Sequence, residues 1–179
     1  MGAIEEPKPV KLFVGMLAST PERLEEAEGI LVNRYGPVDV SSEVLPFEYT
    51  DYYREEMGAN LKRKFVSFER LIRPDDIIDI KHATNAIEAD FAHAAAGEPR
   101  RPVNLDPGYL TLSKVVLATT KEYAHRVYLG RGIYAEVTLR FRHGRYEPWE
   151  WTYPDYRTPE YGEFFVELRE RLREHLRSA

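Results

Sequence analysis

The sequence has 179 residues, of which 43% are hydrophobic and 31% are charged, with a formal net charge of −5 and no cysteine. The lack of cysteine excludes disulfides, thiolate zinc sites, iron–sulfur clusters and cysteine nucleophiles. The negative charge argues against bulk nucleic-acid binding, which normally requires a basic surface. The length fits one globular domain, which we place over residues 1–179 with residues 1–9 as a flexible N-terminal tail.

The N-terminal segment shows no targeting pattern. Glu5 and Glu6 precede an apolar run that is too short for a signal peptide. No window approaches the ~20 apolar residues of a membrane span. We therefore expect a cytoplasmic protein without a membrane partner.

The first part of the chain predicts a buried strand, a helix and further strands. Residues 10–17 form an almost continuous apolar run, which is typical of a strand buried on both faces. Thr20 suits a helix N-cap and Pro21 suits the first helical position, and Gly36 follows the last helical residue. Extended segments are expected at 38–49 and 62–72, with a loop or a short helical turn between them.

A second helix is predicted from Pro74 to about Gly97. Pro74 and the two acidic residues after it suit a first helical turn, and apolar residues then recur at helical spacing. Lys81, Asn85 and Glu88 follow one another at i, i+4 and i+7 beside the apolar stripe. They form either a solvated shoulder of the helix or one border of a site.

From Val103 to about Trp149 the sequence is typical of strands. Asp106-Pro107-Gly108 predicts a tight turn, because proline fixes φ and glycine can adopt a left-handed conformation. This turn is either only a hairpin or one wall of a site, since several cations follow it within some twenty residues. A turn region at 154–159 then leads into a last amphipathic helix.

The order of elements predicts an α+β fold. We expect a single domain with a mixed but largely antiparallel sheet and about three helices packed mainly on one face. Alternation predicts that one set of residues in 133–142 faces the helices: Ile133, Ala135, Val137, Leu139 and Phe141. The other set, which includes Glu136, is expected to face water or a cleft.

Motifs that are absent narrow the chemistry. The sequence has no P-loop, no GxGxxG and no GxSxG pattern. Its five histidines show no HxxH or HExxH spacing, so we expect no zinc site, and no haem or iron–sulfur site either. Mg²⁺ is compatible with the chain, because Asp106 and Glu136 could hold it together with phosphate oxygens.

Tyrosine and tryptophan are concentrated in "EYTDYYREEMG" and "EPWEWTYPDYRTPEY". These rings either cover the core while their hydroxyls find partners, or form a stacking surface for a base or a peptide. In the second case Arg54 or Arg157 would contribute.

Seven segments together resemble a bacterial family described as a domain of unknown function, whose members are sometimes labelled GTP-binding proteins. They are "KPVKLFVGML", "FEYTDYYREEMG", "LKRKFVSFERLI", "IKHATNAIEADF", "VNLDPGYLTLSKVVLATTKEYAHRVYL", "GIYAEVTL" and "WTYPDYRTPEY". The resemblance spans nearly the whole chain, but the sequence has neither a phosphate loop nor an NKxD motif. It implies functional positions at Lys11, Gly15, Glu48, Thr50, Lys81, Asn85, Glu88, Asn104, Asp106, Gly108, Lys114, Lys121, His125, Arg126, Glu136 and Thr138.

We therefore predict that the chain binds a phosphorylated small molecule or nucleotide. The expected ligand-binding residues are Lys81, Asn85, Glu88, Asn104, Lys114, Lys121 and Arg126. Asp106, His125 and Glu136 are the expected catalytic residues, and Asp106 and Glu136 the expected metal ligands. Phosphoryl or nucleotidyl chemistry fits these groups, although the sequence leaves open whether any reaction is catalysed.

Two alternatives involve no chemistry. The first is an RNA- or protein-binding module that uses the Tyr/Trp/Arg-rich loops. The second is an assembly protein whose exposed aromatic residues form an oligomer interface. The sequence does not predict the oligomeric state.

Overall fold

A computed structural model describes residues 2–49, 54–95 and 101–178, with only the backbone of residues 54 and 55. The helices are α1 (Pro21–Tyr35), α2 (Arg54–Met57), α3 (Ile77–Ala94) and α4 (Pro159–Ser178). The strands are β1 (Val10–Ala18), β2 (Val38–Ser41), β3 (Leu45–Pro46), β4 (Lys62–Ile72), β5 (Val103–Leu110), β6 (Lys114–Thr119), β7 (Val127–Gly130), β8 (Ile133–Arg142) and β9 (Arg145–Pro148). Short 3₁₀ turns precede α3 and α4, at Pro74–Asp76 and Pro154–Arg157. Within the described ranges, no helix is both long and apolar enough to cross a membrane.

The strands belong to one sheet. Its order is β2-β4-β1-β5-β6-β8-β7, with β3 beside β4 and β9 beside β8. Each of these pairs is antiparallel. The predicted α+β class with a largely antiparallel sheet is therefore confirmed. β1 lies in the middle of the sheet and is buried throughout, which explains its continuous apolar run.

Helices α1 and α3 cover one face of the sheet. The α1–α3 core includes Leu12, Val14, Met16, Leu24, Leu31, Ile80 and Ile87. The predicted start of α1 is confirmed, because the Thr20 side chain accepts a hydrogen bond from the Arg23 amide at 3.4 Å. Gly36, with φ of 96°, ends the helix. The predicted end of the second helix at Gly97 lies outside the described residues.

Helix α4 covers the opposite face through a core rich in aromatic residues. The α4 core includes Phe13, Phe65, Leu110, Leu139, Phe164, Phe165 and Leu168. Two of the three long helices thus lie on one face, as expected, while α4 lies alone on the other. Side chains that project toward α4 therefore pack among aromatic rings.

The predicted turn at Asp106-Pro107-Gly108 is wrong, because β5 runs through it. The amide and carbonyl of Leu105 bond to side chains of α3, so they point away from β1. The proline nitrogen, two residues on, points the same way, and β6 does not begin to pair until Gly108. The proline therefore removes no ladder hydrogen bond. Gly108 allows β6 to approach β5 closely, because a Cβ at this position would lie 2.4 Å from the carbonyl oxygen of Val116.

The strict alternation predicted for residues 133–142 is also wrong. Val115 and Val116 are consecutive in β6, but they pair with Leu139 and Val137. Thr138 is therefore an extra residue in β8, which is a β-bulge. A bulge shifts the alternation by one residue, so the two halves of β8 present opposite faces to the helices.

The bulge decides where the polar residues of β8 lie. Ile133 belongs to the α1–α3 core and Leu139 to the α4 core, although both were predicted to face the same way. Glu136 pairs with Leu117 of the α4 core and is only 3% exposed. Its carboxylate therefore lies inside the α4 side of the sheet rather than on an open sheet face.

Candidate functional site

Strands β5 and β6 part at one end. They pair only between Gly108–Leu110 and Val115–Leu117. Where β5 leaves β6, Lys81 of α3 donates to the Leu105 carbonyl at 3.0 Å. The Leu105 amide in turn donates to a carboxylate oxygen of Glu88 at 2.7 Å. We call this interruption of the sheet the strand gap.

A chain of polar contacts borders the strand gap on the β5 side. We call it the Asp106 cluster, and it consists of Arg63, Glu88, Arg101, Asn104, Asp106 and Asp155. Asn104 donates to Asp106 Oδ2 at 2.7 Å, and Arg63 Nη1 donates to the same oxygen at 3.1 Å. Arg101 Nη2 contacts both Glu88 and the side-chain oxygen of Asn104. The cluster thus links α3 to the interior of the α4 side without a break.

Arg63 is deeply buried, with a side chain that is 3% exposed. It projects from β4 over β1, where Gly15 makes room for it. A Cβ at Gly15 would lie 3.1 Å from Arg63 Nη1 and 2.8 Å from the ring of Phe65. Arg63 was missed by the sequence analysis. The signal was present, because alternation along β4 puts Arg63 on the same face as Phe65.

The pKa values of the two carboxylates that contact Arg63 are shifted in opposite directions. Burial would raise the pKa of Asp106, but the nearby charges of Arg63, Lys81 and Arg101 outweigh it and hold that pKa below its usual value. Burial raises the pKa of Asp155, and Arg63 only partly offsets it. Asp155 contacts Arg63 Nη2 at the longer distance of 3.5 Å. One carboxylate is therefore stabilised as an anion while the other takes up a proton more readily.

A second group of contacts surrounds Glu136, and we call it the Glu136 cluster: His125, Arg126, Glu136, Thr138 and Tyr153. Glu136 Oε2 accepts from Arg126 Nε at 2.8 Å and lies 3.1 Å from His125 Nε2. The bulge residue Thr138 donates to the other carboxylate oxygen at 3.2 Å. Arg126 Nη2 donates to the hydroxyl of Tyr153 at 2.8 Å. Tyr153 was not predicted as a site residue.

Tyr153 connects the two clusters electrostatically. Burial raises the pKa of its hydroxyl, and the negative charges of Glu136 and Asp106 both raise it further, against the opposing charge of Arg126. Both carboxylates are therefore close enough to act on one hydroxyl. Asp106 and Glu136, the two predicted metal-binding carboxylates, thus both act on Tyr153, although they belong to separate hydrogen-bonded clusters.

A row of stacked rings extends from the Glu136 cluster to the surface. The ring of His125 stacks on Trp151 at 5.5 Å and 12°, and Trp151 stacks on Trp149 at 5.2 Å and 7°. At the other end, Tyr123 lies 5.9 Å from His125 and is 61% exposed. The Arg126 guanidinium lies 4.9 Å from the Tyr123 ring centre. We call these four residues the ring row.

Of the two arginines predicted for a stacking surface, the structure describes only the side chain of Arg157. Arg157 donates to the carbonyls of Trp149, Glu150 and Thr152, so it holds together the loop that carries the tryptophans. The side chain of Arg54 lies outside the described residues, as does Thr50 of the family pattern.

The predicted site residues lie around the strand gap, with one exception. Lys81, Glu88, Asn104 and Asp106 belong to its β5 side, and Asn85 follows Lys81 by one turn of α3. His125, Arg126 and Glu136 lie on its β6–β8 side, where the carbonyl of Lys121 accepts from Arg126 at 3.0 Å. Lys114 is separate, because it pairs with Arg140 at the far end of β6 and lines a groove with Tyr109 and Leu172.

The predicted metal ligands, Asp106 and Glu136, do not belong to a group of three or more metal-binding side chains within the described residues. Among the described residues, no three His, Asp or Glu side chains converge as they would around a metal ion. Asp106 and Glu136 belong instead to separate hydrogen-bonded clusters. Mg²⁺ at this site would therefore depend on oxygens of a ligand or water for most of its coordination.

Residues 8–172 match the family described as a domain of unknown function (DUF4416). The match covers most of the chain, which confirms the resemblance to such a family. No curated protein and no solved structure matches the chain. The family description names no ligand, so the GTP-binding label stays a prediction.

Proposed function

The chain belongs to this family, whose description assigns no activity, and from the geometry of the strand gap we propose that it binds a phosphorylated small molecule there, with a nucleotide as the ligand class. A nucleotide joins a planar base to an anionic phosphate, so it needs a flat apolar surface next to a cation. The observation that carries the proposal is the position of Arg126 over the end of the ring row. Tyr123, at the exposed end of the ring row, would stack with the base, and Arg126 would hold the phosphate.

Arg126 retains donors for such a ligand. Its three nitrogens each donate one hydrogen bond, to Glu136, to the Lys121 carbonyl and to Tyr153. A guanidinium has five N–H groups, so the contacts of the described chain leave two of them for a phosphate oxygen. The three internal bonds fix the orientation of the guanidinium before the ligand arrives, which lowers the entropic cost of binding.

Mg²⁺ would assist at the same place. Asp106 and Glu136 border one region, and a Mg²⁺ ion needs only one or two carboxylates when phosphate oxygens and water complete its shell. If the chain is an enzyme, phosphoryl or nucleotidyl transfer is the reaction that these groups suit. His125, in contact with Glu136, would then move the proton.

The proposal is tested by the melting temperature of the full chain with nucleotides, pyrophosphate and sugar phosphates, each with and without Mg²⁺ or Mn²⁺. A ligand that binds only the native state adds about 2.7 kcal/mol at 100 times its Kd, which raises the melting temperature visibly. We expect one nucleotide to give such a shift, and Arg126→Met to abolish it.

Lys114→Met is the matched control for this experiment. Lys114 is a cation that precedes Arg126 in the chain but lies at the far end of β6. The nucleotide shift should survive its removal. A shift that is lost in Lys114→Met and kept in Arg126→Met would move the binding site away from the strand gap, and a flat ligand panel would contradict the proposal.

One observation favours a second candidate function, that of a binding module without catalysis. The exposed large hydrophobic side chains around the edge strand β7 form a group: Tyr123, Val127, Tyr128, Leu129 and Tyr153. An aromatic patch beside a sheet edge suits a macromolecular partner. If the partner is RNA, its affinity should fall steeply with salt, whereas a protein partner should show a weaker dependence.

A further inference from the structure

Several side-chain polar atoms of the described chain are buried without a hydrogen-bond partner, and three of them belong to neighbouring residues on the α4 side. These three are Arg63 Nε and the hydroxyl oxygens of Tyr156 and Tyr161. The three residues are 2%, 4% and 2% exposed. Buried polar groups are nearly always bonded, so each such atom calls for a partner from outside the described residues, such as water or a ligand oxygen.

The three atoms belong to one place. The rings of Tyr156 and Tyr161 lie 5.5 Å apart at 88°, and both pack against the ring of Phe65. The charge of Arg63 opposes the rise in pKa that burial causes at both hydroxyls. Arg63 also lies close enough to the Tyr161 hydroxyl to lower its pKa by hydrogen bonding, so the three groups are near neighbours. Asp155, which contacts Arg63 Nη2, completes the group. We call these four residues the arginine chamber.

The arginine chamber is close to solvent although its members are buried. The side chain of Asp106, which bonds Arg63 Nη1, is 28% exposed. Tyr49, which acts electrostatically on Tyr161, is 43% exposed. Two neighbours of the chamber are thus partly exposed to solvent.

We propose that the arginine chamber is a binding site for a small oxyanion group, a phosphoryl or carboxylate group whose oxygens accept from Arg63 Nε, Tyr156 and Tyr161. All three atoms can donate a hydrogen bond, and oxyanion oxygens are the strongest acceptors for such donors. This site differs from the place proposed for the nucleotide, since Arg63 lies under α4, whereas Arg126 lies against Tyr123 at the end of the ring row. The chamber would hold its guest whether or not the strand gap binds a nucleotide.

The charges around the chamber are compatible with an anion. Arg63 is next to Asp106 and Asp155, and Lys81 and Arg101 also act on Asp106. Asp155 is the carboxylate whose pKa burial raises, so it takes up a proton most readily when a second anion approaches. A protonated Asp155 would leave Arg63 with one carboxylate, and would add a fourth donor for the guest.

The test uses inorganic phosphate and acetate as probes, each titrated into the full chain at constant ionic strength. The variants Tyr156→Phe and Tyr161→Phe each remove one hydroxyl and keep the ring. Tyr146→Phe is the matched control, because Tyr146 is a buried tyrosine of the same core whose hydroxyl faces the Thr111 carbonyl at 3.4 Å. We expect each chamber variant to weaken binding about tenfold, the loss of one hydrogen bond to a charged group, and the control to bind like the wild type.

The two probes separate the two kinds of guest. Binding of phosphate alone assigns the chamber to a phosphoryl group, and binding of acetate alone assigns it to a carboxylate. If neither anion binds, or if both chamber variants bind as tightly as the wild type, the chamber holds only water and the inference is overturned. Because one hydroxyl at a time is removed, a variant that failed to fold would leave the other to decide.

Arg126→Met separates this inference from the proposed function. It should abolish the nucleotide shift and leave anion binding in the chamber unchanged. Loss of anion binding in Arg126→Met, with Tyr156→Phe and Tyr161→Phe unaffected, would place the anion in the strand gap and overturn the chamber. If anion binding depends on the two tyrosines but no nucleotide raises the melting temperature, the inference about the chamber stands and the proposed nucleotide function is contradicted.

Discussion

Two buried arginines, Arg63 of β4 and Arg126 just before β7, differ in how many of their nitrogens donate hydrogen bonds to the protein. Arg126 donates from each of its three nitrogens to protein oxygens. Among the described residues, Arg63 donates from its two Nη atoms to Asp106 and Asp155, and its buried Nε has no partner there. A buried donor without an acceptor costs free energy that a bonded one does not. Every nitrogen of Arg126 thus has a protein partner, although two of its N–H groups remain for a ligand, whereas one nitrogen of Arg63 has no partner in the described chain.

The largest effect should come from removing the deeper arginine. Arg63→Met leaves two carboxylates without their cation inside the α4 side, so we expect a loss of about 3–5 kcal/mol in the free energy of unfolding. Arg126→Met leaves one carboxylate, Glu136, which keeps His125 and Thr138 as partners. We expect it to cost about 2 kcal/mol. Urea unfolding at neutral pH measures both.

Arg131→Met is the control for that pair, because the Arg131–Asp79 ion pair is largely exposed. It should change stability by no more than ~0.5 kcal/mol. Equal losses for Arg63→Met and Arg126→Met would break the comparison, because the protein would then depend on the two arginines to the same degree.

The next effect concerns the space that β1 provides for Arg63. Gly15→Ala places a methyl group 2.8 Å from the Phe65 ring and 3.1 Å from Arg63 Nη1. Such overpacking should cost about 1–3 kcal/mol. Gly29→Ala is the control, since Gly29 lies in α1 with no atom near its added Cβ. It should stabilise the chain by up to ~1 kcal/mol, and a loss at Gly29 as large as that at Gly15 would argue against a specific role for Gly15.

Asp106 and Asp155, the two carboxylates that contact Arg63, should change the stability of the fold with pH in opposite directions. Asp106 has a lowered pKa in the folded chain, so its ionisation stabilises the fold above about pH 3.9, and this contribution is lost as the pH falls through the folded pKa. Asp155 has a raised pKa, so stability declines as the pH rises from about 3.9 through the folded value. Asp106→Asn should therefore cost about 1.5 kcal/mol or more at neutral pH, because the hydrogen bonds from Arg63 and Asn104 both lose their charged acceptor.

Asp155→Asn should remove the decline above about pH 4 and leave the acid limb intact. Unfolding by urea at a series of pH values from 2.5 to 7 measures both profiles. Parallel profiles for the two variants would contradict the opposite pKa shifts.

The smallest effect should come from the link between the two clusters. Tyr153→Phe removes the acceptor of Arg126 Nη2 and should cost about 0.5–1 kcal/mol. It also frees the guanidinium to turn, so any nucleotide shift should weaken without disappearing. Tyr128→Phe, on the neighbouring edge strand, is the control for the melting experiment and should leave the nucleotide shift unchanged.

Features that depend on nearby residues could be predicted from the sequence. The start of α1 follows from Thr20 and Pro21, which act within one turn, and the apolar run of β1 follows from its central place in the sheet. The residues predicted for a site were grouped mostly by the family resemblance. The structure brings most of the predicted site residues to the strand gap, but Lys114 lies at the far end of β6. Lys11 of the family pattern also lies away from the gap, because it pairs with Leu110.

Features that depend on partners distant in the chain could not be predicted. Asp106-Pro107-Gly108 suits a turn by local rules, but side chains of α3 replace β6 beside it and keep it extended. The bulge at Thr138 arises from the register between β6 and β8, which the alternation of β8 alone does not contain. Asp155 lies in a segment predicted as a turn, and it is buried only because the polypeptide around α4 packs over Arg63.

The proposal that the strand gap is the ligand site is tested most directly by amide chemical shifts of the ¹⁵N-labelled chain, titrated with a nucleotide and Mg²⁺. Binding at the strand gap should move the amides of Leu105, Ala124, His125 and Arg126, and leave those of Ser113 and Lys114 at the far end of β6 in place. Shifts confined to Ser113, Lys114 and the facing turns of α4, or no shifts at saturating nucleotide, would contradict the proposal.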